Sequence, residues 1–145
     1  MYKRNGMEYA VYVNEEKGIV TVKITNAVEQ LVNEFAMFCQ KNEIVFDGAY
    51  FEAFCKKYEK QMNKLIGFAT CNKEAGDEFN VEYGYKLAHE RAMAYFEAYR
   101  TKFYTGLCMK YDNIAEAASI RAEESDARHW DRVDRVSDII DELKQ

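Results

Sequence analysis

The sequence predicts an α+β fold: a small antiparallel sheet of about three strands, packed by amphipathic helices, with a long helix and a C-terminal helix after it. Three observations predict it. A β-rich stretch early in the chain is split by a polar loop ending in Gly. Two later stretches repeat apolar residues at three- and four-residue spacing. The chain also has no proline, where an average usage of about 5% would give roughly seven. Proline breaks helix interiors and punctuates loops, so its absence favours long helices joined by short turns.

The first element is a hairpin. Met7–Val13 alternates weakly, NEEKG at 14–18 is a polar loop, and Ile19–Ile24 (IVTVKI) is dense in β-branched residues. Asn26 then reads as an N-cap, with Glu29 three residues on completing a capping box. The helix that follows places Val28, Leu31, Val32, Phe35, Phe38 and Cys39 on one face. Ile44–Phe46 is a short apolar run, a third strand or a connector. Asp47 can cap a second helix in which Phe51, Phe54, Cys55, Tyr58 and Met62 share a face. Its other face carries Lys56, Lys57, Lys60 and Lys64, a solvated face or an attraction for an acidic partner.

Leu65–Cys71 reads as a strand. Gly67 and Ala69 fall on one side of it and leave room for a helix to pack closely. After a polar loop, a helix is expected from Val81 to Tyr104, with Gly106 as its C-terminal stop. Residues 107–113 then form a linker. A last helix runs from Ile114 to Leu143, with Ser119 and Ser125 as candidate break points. Val133, Val136, Ile140 and Leu143 follow the spacing of a coiled-coil seam that packs on its own domain or on a second copy. This gives an α+β core over 1–106 and a helical extension over 107–145.

Composition bounds the function. The chain has 145 residues, one domain by the usual prior. Its formal charge is −5, which disfavours a nucleic-acid binder that works by neutralising phosphates. The acidity is local: residues 113–145 carry nine acids and five bases, a net −4. Cys39, Cys55, Cys71 and Cys108 form no C-x-x-C pair, so neither a zinc nor a redox motif is expected. No leader-like segment or membrane span is read, and reduced thiols in a cytosol fit best.

Two segments stand out as candidate surfaces. In GDEFNVEYGYKLAHER, residues 76–91, Asp77 or Asn80 can cap the helix and Phe79 can pack back on it. A recognition rim of Asp77, Glu78, Phe79 and Asn80, with Arg91 further along, is the functional alternative. In RHWDRVDR, residues 128–135, Arg128, Trp130 and Arg132 are of the types enriched in interface hot spots. Glu123, Glu124 and Asp131 surround them. The structural alternative is an ion-pair lattice of Glu124 with Arg128 and Asp131 with Arg135.

Catalysis finds little support. His89 beside Glu90 and Arg91 reads as a surface or boundary residue. His129 and Asp126 lack a third metal ligand. The three serines, Ser119, Ser125 and Ser137, have no nucleophile-elbow motif around them. Neither cofactor nor metal is expected.

The order Gly67, Ala69, Cys71, Asp77, Phe79, Gly84, Leu87, Ala88, Arg91, Ala92 resembles a segment of small uncharacterised proteins from phages and prophages of Gram-positive bacteria. It covers roughly residues 65–95, with a looser likeness in the hairpin. The resemblance implies a mobile-element protein in a bacterial cytoplasm. That setting includes anti-defence factors such as inhibitors of CRISPR effector nucleases. The expectation is therefore a non-catalytic inhibitor that docks on a host defence protein, without direct nucleic-acid or membrane binding. The alternatives are a protein that sequesters a small nucleotide signal and a homodimeric adaptor built on the 130–143 seam.

Overall fold

The computed structural model describes residues 2–4, 6–71 and 78–144. Its elements in chain order are β1 (Tyr2–Arg4), β2 (Met7–Asn14), β3 (Ile19–Ile24), α1 (Ala27–Lys41), α2 (Gly48–Met62), β4 (Ile66–Thr70) and α3 (Val81–Leu143). The fold is α+β. The strands form one antiparallel sheet in the order β1-β2-β3-β4. β1 is one strand more than the sequence suggests, pairing Tyr2 with Tyr9 and Arg4 with Met7. Ile44–Phe46 is a connector without strand structure.

Strand side chains alternate between faces, and one face of this sheet is inward. Met7 and Tyr9 of β2, Val20, Val22 and Ile24 of β3, and Gly67 and Ala69 of β4 are all buried. The register pairs Tyr9 with Ile24, Val22 with Gly67 and Val20 with Ala69. The inner face thus changes from bulky to small toward β4, which is where α3 lies. A Cβ on Gly67 would meet the carbonyl oxygen of Ala88 and stand 2.6 Å from the amide nitrogen of Ala92. The helix backbone rests on a strand that has no side chain at that point.

Asp47 caps α2 as expected, its Oδ1 accepting from the Tyr50 N–H at 3.0 Å. Asn80 opens α3 in the same way, accepting from Tyr83 N–H at 3.0 Å. Asn26 does not cap α1 with its side chain. Its Oδ1 instead accepts from the Glu8 N–H at 2.8 Å, and its Nδ2 donates to the Gly6 carbonyl at 3.0 Å. The amide is committed to tying the start of β2 to the entry of α1, so the expected capping box does not form.

The last third of the chain also departs from expectation. Gly106 does not stop α3, and residues 107–113 are helix, not linker. Nor is there a break at Ser119 or Ser125. A glycine inside a helix costs only about 1 kcal/mol relative to Ala. The residues after it, LCMKYDN, contain no proline, so the helix propagates through.

The chain forms two compact units, 1–104 and 105–145. In the first, α1, α2 and the 96–104 part of α3 meet in an aromatic cluster. Phe103 is its hub: its ring lies 4.8 Å from Phe35, 5.1 Å from Phe54 and 5.7 Å from Phe51, each edge to face. The Tyr50 hydroxyl donates to the Phe103 carbonyl at 2.6 Å. Fully burying one such ring is worth roughly 1.5–3 kcal/mol. In the second unit, every residue from 111 to 144 is exposed.

Candidate functional site

An α-helix turns about 100° per residue, and this sorts the residues of the second unit by face. Tyr111, Ile114, Ala115, Ala118 and Ala122 fall on one line, continued by Ser125, His129, Val133, Val136, Ile140 and Leu143. The stripe is apolar at both ends, small in its first half and polar at its middle. It keeps the 3.6-residue period of a straight helix, not the 3.5 of a heptad. Its large members are all exposed, Leu143 at 81%.

The charges beside the stripe are segregated. Lys110, Arg121, Arg128, Arg132 and Arg135 line one edge. Asp112, Glu123, Asp126 and Asp141 line the other. The face opposite the stripe carries Glu124, Asp131, Asp138 and Glu142. The residues singled out around Trp130 are therefore brought onto one helix but not onto one face. Arg128 and Arg132 belong to the basic edge. Trp130 and Glu123 lie on the acidic edge, and Glu124 and Asp131 point away from the stripe. Trp130 is 58% exposed and belongs to no core; its indole meets the His129 ring edge-on at 5.4 Å. Neither Glu124 with Arg128 nor Asp131 with Arg135 closes to ion-pair distance, so the expected lattice is not formed among the described residues.

The second candidate surface is built around the start of α3. Asp77 lies outside the described residues. Glu78 and Asn80 are exposed and Phe79 is half-buried. They line a cleft of about 340 Å³ together with Thr70, Cys71, Tyr83 and Leu87. Arg91 is not part of it. Its Nη1 donates to the Phe68 carbonyl of β4 at 2.6 Å, which ties α3 to the sheet. Among the described residues the lining of the cleft contains no Lys or Arg.

His89 is more enclosed than the surface or boundary position that the sequence suggests. It is buried, 8% exposed, with its ring 4.8 Å from Tyr9 and 5.8 Å from Tyr85. Its Nδ1 stands 3.5 Å from Glu90 Oε1. Its Nε2 is enclosed without a hydrogen-bond partner among the described residues. The signal was in the chain: His89 is one residue from Ala88, and a helix face that meets Gly67 draws its neighbours inward. A polar hollow of about 350 Å³ lies beside it, lined by Gln30, Glu34, Glu97 and Arg100. Arg100 spans that hollow, 3.5 Å from Glu34 and 3.7 Å from Glu97.

Among the described residues, no group of three or more His, Cys, Asp or Glu is placed to hold a metal ion. No described helix is long and apolar enough to cross a membrane. No family model, curated protein or solved structure matches the chain.

Proposed function

We propose that the chain is a non-catalytic binding protein that engages another protein through residues 111–144. One observation carries this reading: residues 111–143 are all helical and exposed, yet they bear Trp130, Val133, Val136, Ile140 and Leu143. Helices in proteins owe most of their stability to packing of an apolar face, and a contiguous exposed apolar face marks an interaction surface. The acids of the opposite face favour a basic partner by field complementarity.

The specific form of the proposal is an inhibitor of a bacterial defence nuclease, such as a CRISPR effector. The likeness of residues 65–95 to phage proteins supports it, as does the net −4 of residues 113–145, which suits a basic nucleic-acid channel. Purified protein is titrated into target-DNA cleavage by a panel of RNA-guided nucleases. Dose-dependent loss of cleavage by one of them is expected, relieved by reversing Glu124, Asp131 and Glu142 to Lys. Undiminished cleavage across the panel, with no complex in native mass spectrometry, rejects the nuclease form.

A further inference from the structure

We infer that the apolar stripe of α3 is covered by a second copy of this chain, and that the two copies run parallel. The inference rests on the reading of residues 111–143 as an interaction surface and names its occupant. Charge complementarity across the edges of the stripe selects this occupant. In a parallel face-to-face pair, each helix sets its left edge against its partner's right edge; in an antiparallel pair, like edges meet. Here one edge is basic and the other acidic. Parallel copies therefore place Arg121 of each against Asp126 and Glu123 of the other, and do so on both sides of the seam. Antiparallel copies would face five cations against five. Like charges brought together at an interface oppose association.

Packing agrees with this arrangement. Ala115, Ala118 and Ala122 lie on the stripe where small residues let two helix backbones approach closely. Val133, Val136, Ile140 and Leu143 then meet their own counterparts and supply the buried apolar surface. His129 lies between these two halves. A polar residue at a seam position specifies register at a cost in stability. Trp130, on the acidic edge, comes to the basic edge of the partner, where an arginine can stack on its indole. The acidic face of Glu124, Asp131, Asp138 and Glu142 stays outward, free for a further basic partner.

The test uses the full chain. Sedimentation equilibrium is expected to give twice the 17.0 kDa chain mass. Val136→Asp with Ile140→Asp is expected to weaken the dimer by roughly a hundredfold or more. Ile120→Asp, on the opposite face, is expected to leave it intact, which separates loss of the seam from loss of the helix. Orientation is read with Ala118→Cys and Val136→Cys, each made singly with Cys108→Ser. Parallel copies form an intermolecular disulfide at both positions. These sites are about 27 Å apart along the helix, so an antiparallel pair cannot bring both to their own counterparts. A monomer mass overturns the inference, as does a dimer that survives the double Asp variant, or disulfide formation at neither or only one of the two sites. A monomer that still inhibits a nuclease overturns this inference and leaves the proposed function standing. A parallel dimer with no effect on any nuclease leaves this inference standing and overturns the nuclease form of the proposed function.

Discussion

Gly67 of β4 and Ala88 of α3 meet backbone to backbone, with the Ala88 carbonyl standing where a Cβ on Gly67 would be. Nothing in that contact can yield by rotating a side chain. Gly67→Ala is therefore expected to destabilise the protein by about 1–3 kcal/mol or more, since overpacking against backbone forces the elements apart. Gly48→Ala is the matched control, because its nearest neighbour would be Phe46 Cε1 at an ordinary 3.7 Å. Urea midpoints followed by near-ultraviolet circular dichroism compare the two, and equal shifts would contradict the account.

Phe103→Ala should cost about 3–5 kcal/mol. Its ring is fully buried and shared by α1 and α2 through Phe35, Phe51 and Phe54. Phe68, on the outer face of the sheet and 52% exposed, should tolerate the same change within about 0.5 kcal/mol. Thermal or urea unfolding of both variants checks the contrast.

Tyr50 links stability to alkaline pH. Burial, then Tyr58 and Asp47, push its phenol above the ordinary value. Tyr104 is pushed the same way, by burial first and then by Glu34 and Cys39, with Arg100 opposing. A phenol held protonated in the folded state contributes stability that is full below the unfolded value near 10 and is lost as pH rises through the folded value. Stability should therefore fall above roughly pH 10. Tyr50→Phe loses the hydrogen bond to the Phe103 carbonyl, about 0.5–1.5 kcal/mol at neutral pH, and should show a shallower alkaline decline. Melting temperatures from neutral to alkaline pH test both parts.

The thiols should separate by reactivity. Cys108 is exposed and Cys39 buried. Burial, with Asp47 nearby, also pushes the Cys39 thiol up, which lowers its thiolate fraction. A colorimetric thiol titration of the native protein should modify Cys108 in the fast phase and Cys39 only on unfolding. Peptide mapping of the fast-labelled site decides it.

Much of the architecture was legible because it follows from local periodicity. The hairpin, the apolar faces of α1 and α2, the Asp47 cap and the close approach at Gly67 are all carried by residues near one another in the chain. Asn26 was misread because two roles compete for one amide, and the winner, β2, lies eighteen residues earlier. The end of α3 was misread because Gly106 is a weak breaker whose cost neighbouring turns absorb. The surface around Trp130 was found as a segment, but linear spacing joined residues that a 3.6-residue turn sends to three different faces. His89 reads as a surface or boundary residue because its burial is set by the strand beneath its helix, which linear spacing does not show.

Placing the only tryptophan in the 105–145 unit has a spectroscopic consequence. Indole emission is a native reporter of what happens to the exposed helix around Trp130. The first unit's cluster contains tyrosines and no tryptophan, with Tyr50, Tyr58, Tyr99 and Tyr104 among them. Excitation at the red edge of the indole band thus follows the second unit selectively in the unmodified chain, without an introduced label.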